Sequence, residues 1–156
     1  FRRVLFRSSR ARKLDNLGPG PLRTDEFLWG LPDLSNADRK KVHEGNLLLA
    51  FLLRVLKVCE QYSVPYMVEN PASSMLWNMS TVNRFCCKYS PFYLTLDYCA
   101  YAESWKKPTS ILYNFIHLHP LAKRCHGKYN HCEFTHKPHV ALQGHDQNGV
   151  FLTLVA

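Results

Sequence analysis

One stretch limits the fold more than any other. From residue 42 onward Val42, Leu48, Leu52, Val55, Leu56 and Cys59 recur at helical spacing, and a strand-forming run of Val64, Tyr66, Met67 and Val68 follows within a few residues. Leu47, Leu49, Phe51 and Leu53 widen the apolar surface beyond a single stripe, so the helix is expected to be largely buried. Ser35, with Asp38 three residues on, marks its start. A broadly apolar helix leading into an apolar strand calls for a sheet layered with helices, hence an α/β fold. The 156 residues suit one domain, and 46% hydrophobic residues are enough for its core.

The rest of the chain fills in around that unit. Residues 9–34 carry Gly18, Pro19, Gly20, Pro21, Gly30 and Pro32 between single apolar residues and read as an irregular segment; residues 35–156 are the expected domain. Ser73 or Ser74 opens a shorter helix through about Phe85, bearing Met75, Leu76, Met79 and Val82. Phe92, Leu94, Leu96 and Tyr98 alternate with Tyr93, Thr95 and Asp97, a strand pattern, and SILYNF after Pro108 is a third strand. HVALQG and VFLTLV are two closing strand candidates around Asp146, Asn148 and Gly149.

Composition removes some classes. The most apolar stretch, NLLLAFLLRVLKVC, is interrupted by Arg54 and Lys57, so no membrane span and no membrane partner are expected. Six cysteines, two of them the adjacent Cys86 and Cys87, with no visible signal peptide, favour reduced thiols and an intracellular setting, cytoplasm or nucleus. The opening FRRVLFRS reads as the translation of a widely used sequencing adapter, so residues 1–8 are set aside as non-native and the chain is expected to be truncated at its amino end. Without Arg2, Arg3 and Arg7 the formal charge falls from +8 to +5, still basic and suited to an acidic partner such as nucleic acid.

Two constellations carry chemistry. In VPYMVENPASSMLW an acid, Glu69, stands at the end of a strand, where ligands of open α/β sheets bind, and Asn70 before Pro71 is pushed toward extended geometry that ends the strand. A strand stopping at a polar turn explains the same residues. Further on, six histidines and cysteines fall within the segment 124–144. Cys125, Cys132 and His139, with His126, His131 and His136 interleaved, could bind zinc, or the thiols could pack under a turn with the histidines in solvent. Arg23 could meet phosphate or pair with Asp25 or Glu26, and the pairing is preferred.

Taken in order, SRAR at 9–12, PLRTDEFLWGLPDL at 21–34, VHEGN, VENPASSMLW, DYCAYAESWKKPTSILYN at 97–114 and RCHGKYNHCEFTHKPHVALQG at 124–144 form a set. The set resembles a group of cytosine-5 DNA methyltransferase-like proteins of phages and some protists, in which Glu-Asn-Pro replaces the more familiar Glu-Asn-Val. It covers nearly everything after residue 9. The resemblance implies the carboxyl-terminal part of a Rossmann-like methyltransferase sheet, with helices packed on it and a small Cys/His-containing tail. It implies DNA as partner, with RNA also open, and S-adenosylmethionine as cofactor of the complete protein. These enzymes extrude the target base and add a cysteine to its ring, which requires a proton at the ring nitrogen N3.

By the same resemblance Glu69 is that acid, in a partly buried site, and Asn70 and Pro71 shape the turn. Trp105, Lys106, Lys107 and Thr109 lie beside the target base, where two lysines could neutralise phosphate; a solvated lysine pair before a proline is the other reading. The chain departs from the pattern in two ways. It has no Pro-Cys, with Cys86, Cys87 and Cys99 reading as packing cysteines, and it has no glycine-rich turn for the cofactor, since Gly18-Pro19-Gly20 neither follows a strand nor opens a helix. A fragment inactive on its own is therefore expected. Two other classes stay open: a non-catalytic nucleic-acid-binding domain of a mobile-element polyprotein, and a small zinc-stabilised interaction domain.

Overall fold

The computed structural model describes residues 21–140. Helix α1 spans Asn36–Gln61, and Ser35 caps it, its hydroxyl accepting the Asp38 N–H at 3.2 Å. Strand β1 is Met67–Pro71; a short 3₁₀ turn at Met75–Asn78 then leads into helix α2, Ser80–Tyr89. Strand β2 is Phe92–Asp97, a 3₁₀ turn covers Tyr98–Tyr101, strand β3 is Pro108–Tyr113, and a third 3₁₀ turn covers Ile116–Leu121. No helix among the described residues is long and apolar enough to cross a membrane.

The three strands form one sheet in the order β1-β3-β2, and both pairs are antiparallel. β1 and β2 therefore run the same way on either side of β3, joined by the α2 crossover. The expectation of an α/β chain holds in this form. The parallel neighbours of a Rossmann-like sheet are not among the described pairs, because the last strand inserts between the first two.

The register sorts the side chains onto two faces. Val68 and Tyr93 lie beside Leu112, and this face packs on Leu56, Tyr66 and Phe85 beneath the helices. Glu69 and Leu94 lie beside Ile111 on the opposite face, where Leu94, Leu96, Ile111 and Tyr113 pack with Tyr98, Phe115 and Leu118. β3, in the middle, is buried from Thr109 to Tyr113.

Three expectations need correction. α1 is not largely buried: Leu47, Leu48, Phe51, Val55 and Val58 are between 40% and 66% exposed, while Val42, Gly45, Leu49 and Leu56 are buried. A helix resting on a single layer can bury only the stripe that faces it. The second helix is broken, since Ser74 caps the 3₁₀ turn, Met79 is extended, and α2 begins only at Ser80. Met79, at the break, is fully buried against Leu49, Leu76 and Val82. Finally, β1 does not stop at Asn70 but continues to Pro71, which pairs with Thr109. Proline is tolerated there because β1 is an edge strand.

Residues 21–34 contain no helix or strand, as expected. Arg23 latches this segment to α1. It is 3% exposed and donates to the Val42 carbonyl at 3.1 Å and to the Asn46 side chain at 2.9 Å, so it faces protein rather than a solvent phosphate. Burial lowers the Arg23 pKa. Gly45 makes room for it, since a Cβ there would stand 3.2 Å from the guanidinium. The two closing strand candidates, apart from His139 and Val140, lie outside the described residues, as do SRAR and Gly18-Pro19-Gly20.

Candidate metal centre

The end of β2 and the segment after Leu121 are bound together at Asp97. This residue is fully buried; its Oδ2 accepts the Cys125 N–H at 2.7 Å and Arg124 Nε at 3.1 Å, and its own N–H donates to the Lys123 carbonyl. Two residues on, the 3₁₀ turn carries Cys99, fully buried and facing the same segment. Lys106 adds a third tie, donating to the Cys125 carbonyl at 2.6 Å. The Val140 N–H donates to the Ser104 carbonyl at 2.7 Å, anchoring the far end.

These ties bring four donor atoms together. Cys99, Cys125, Cys132 and His139 have their ligating atoms all within 4.8 Å of one another. The Cys125 and Cys132 sulfurs are 3.9 Å apart, and Cys125 Sγ lies 3.6 Å from His139 Nε2. A tetrahedral zinc with its usual bond lengths would set such edges at about 3.8 Å for two sulfurs and about 3.6 Å for sulfur and nitrogen. The group could therefore hold a metal such as zinc, whose preferred ligands are thiolates and imidazoles. Four protein ligands leave no open position, so the site suits a structural ion rather than a catalytic one.

The thiols sit in unlike settings. Burial pushes the Cys99 thiol up to about 12, helped by its sulfur neighbours Cys125 and Cys132. Burial acts upward on Cys132 too, but the Thr135 N–H and hydroxyl and the Phe134 N–H point at its sulfur and bring it down to about 6. The arm bearing it is shaped by a short bridge between His131 and Pro138, with the Cys132 N–H donating to the Lys137 carbonyl at 2.8 Å. Gly127 lets the chain pass close to itself, since a Cβ there would fall 1.8 Å from the His131 carbonyl oxygen.

The structure brings Cys125, Cys132 and His139 together, as the zinc reading of the sequence expects, and the alternative of histidines left in solvent does not apply to His139. His126, His131 and His136 stay exposed. Cys99 was read as a packing cysteine; it is instead the fourth member of the cluster. Structural zinc sites take four ligands, so a set of three was a sign that another Cys or His was missing.

The residues singled out by the resemblance gather nearby. Glu69 is the middle residue of β1 and its side chain is 42% exposed, more open than the partly buried site implied. Lys107 Nζ lies 3.8 Å from its Oε1, and the Tyr98 hydroxyl donates to the same oxygen at 3.2 Å. Lys107 also sits over the Tyr98 ring, 4.9 Å from its centroid. Asn70 is buried beside Ser110, and Pro71 continues the strand. Trp105 and Lys106 are half-buried, Lys106 being engaged by Cys125. Thr109 does not face a nucleotide: it is fully buried within β3. A cavity of about 400 Å³ lies at the other end of the sheet, walled by Glu60, Tyr89, Phe92 and Asn114 among others, and Glu69 is not among its walls. No family model, no curated protein and no solved structure matches the chain.

Proposed function

We propose that this chain forms the target-base side of a cytosine-5 DNA methyltransferase-like protein, braced by a zinc ion on Cys99, Cys125, Cys132 and His139. One observation carries the reading: Glu69, Tyr98 and Lys107 come from separate segments and meet around one carboxylate, and Tyr98 is next to the metal ligand Cys99. The resemblance sets Glu69 and the segment of Lys107 beside the extruded cytosine, and Tyr98 joins them through its hydrogen bond to Glu69. In this reading Glu69 takes up a proton as the base enters and passes it to N3, Tyr98 positions the carboxyl group through its hydroxyl, and Lys107 turns from Glu69 to the backbone phosphate. A zinc ion on Cys99, Cys125, Cys132 and His139 would take no part in the chemistry and would brace the turn that carries Tyr98.

S-adenosylmethionine would supply the methyl group in the complete protein, and no glycine-rich turn between a strand and a helix occurs among the described residues to hold it. The attacking thiol of such enzymes follows a proline; Cys99, Cys125 and Cys132 lie in the Cys/His group, and Cys59, Cys86 and Cys87 have no preceding proline. The chain alone is therefore expected to transfer no methyl group. The test is a complete protein carrying this segment. Glu69→Gln should abolish methyl transfer while leaving DNA affinity and zinc content unchanged; retained activity, or a protein that purifies without zinc, refutes the reading.

The exposure of Glu69 favours a second reading, a non-catalytic nucleic-acid-binding module with the same metal brace. It draws on Lys123, Arg124, Lys128 and Lys137, set against Glu133 in the same stretch and the buried Asp97 that pairs with Arg124. Salt-dependent DNA binding, with no methyl transfer by any complete protein that carries the segment, would select it.

A further inference from the structure

Between Cys125 and Cys132 the chain makes a tight turn whose geometry is costly. Tyr129 and Asn130 both have positive φ, 52° and 62°. Asparagine adopts this region with little strain, whereas for a tyrosine it costs about 1 kcal/mol or more. The turn is nonetheless firmly closed. The His131 N–H donates to the Lys128 carbonyl at 3.0 Å, and the Asn130 side chain donates to the His139 carbonyl at 3.0 Å. The His139 N–H donates back to the Asn130 carbonyl at 2.7 Å. Two ligand-bearing arms are thereby locked at the tip itself.

The outcome is an aromatic ring pushed into water. Tyr129 is 93% exposed, the most open large hydrophobic residue among those described, although its backbone is tied on both sides. Lys128 and His131 flank it, and Lys137 is exposed on the returning arm. A ring carried on a closed turn, open to solvent and with cations beside it, has the chemistry of a stacking platform for an unpaired base. Every base offers a π-face, and the lysines meet the adjoining phosphates.

We propose that Tyr129 is such a platform, so that the metal turn grips a single-stranded or extruded nucleotide. The inference rests on the nucleic-acid reading above and adds a residue to which nothing else gives a role. Lys106, bonded to the Cys125 carbonyl, adjoins Lys107, which pairs with Glu69.

The test uses the zinc-loaded chain and a short single-stranded oligonucleotide containing a fluorescent aminopurine, as DNA and as RNA. Binding should quench the probe in at least one of the two. Tyr129→Ala should weaken affinity about tenfold and abolish the quenching, with Tyr129→Trp restoring both. Lys128→Ala should reduce the salt dependence of binding. Because the ring is so exposed, Tyr129→Ala should leave zinc content and thermal unfolding as in the parent protein. If it binds as tightly as the parent with quenching intact, or if only duplex binds and Tyr129 has no effect, the platform is overturned while the nucleic-acid reading survives. If the zinc-loaded parent binds neither single strands nor duplex, both fall together.

Discussion

Asp97 holds Cys125 by its backbone: the carboxylate oxygen accepts the cysteine N–H at 2.7 Å, with the aspartate wholly out of solvent. One member of the Cys/His group is thus oriented by an acid at the end of the sheet, and that group and β2 share one anchor. Removing an outer partner of this kind weakens metal affinity by about 10- to 100-fold. Asp97→Ala is expected to do so here, read by competition against a chelator of known affinity. Unchanged affinity would show that the contact does not orient the ligand.

The two perturbed thiols give the fold a defined pH response. The Cys132 pKa is depressed in the folded chain, to about 6 from an ordinary 9.0, so its contribution to stability is present above pH 9 and lost as pH falls through about 6. The Cys99 pKa is raised to about 12, so its contribution is full below pH 9 and lost as pH rises toward 12. Thermal unfolding of the metal-free protein at a series of pH values should show a fall on both sides. Zinc affinity should weaken as pH falls, because protons compete with the metal for the thiols and the imidazole.

Gly127 has no room for a side chain. A Cβ there would stand 1.8 Å from the His131 carbonyl oxygen and 3.0 Å from the Glu133 N, both rigid backbone atoms. Gly127→Ala should therefore displace Cys132 and release zinc, whereas Gly45→Ala meets only the flexible end of Arg23 at 3.2 Å and should keep it. Zinc content and unfolding temperature of the two variants measure the contrast.

Removing the ion should act locally. Cys99, Cys125 and Cys132 form a cluster of their own, apart from the cores built on Leu49, on Leu56 and Leu112, and on Ile111. On adding chelator, the amides of Cys125, Cys132 and His139 should lose protection from hydrogen exchange, while Leu49 and Leu112 keep theirs. Uniform loss across the chain would mean that metal and sheet are inseparable.

Much of this was legible locally. Ser35 and Asp38 announce the start of α1, alternation in Phe92–Asp97 announces β2, and the apolar run after Pro108 announces β3, because each signal lies within a few residues of what it specifies. The order of the strands was not, since β1 finds its partner about 40 residues later, from Glu69 to Ile111. Cys99 escaped for the same reason. It is 26 residues from Cys125, with β3 between them, and no local spacing links the two. The width of the apolar surface on α1 misled for another reason: hydrophobicity says which side chains would gain by burial, and a layer on only one side decides which of them obtain it.

The four ligands also set a timetable for assembly. Cys99 leaves the ribosome before β3, and His139 is the last to emerge. An ion held by all four would thus close a loop of chain that contains the middle strand. The loop can shut only after the whole sheet has been synthesised, so full loading acts as a latch on a finished fold rather than as the seed of a nascent one.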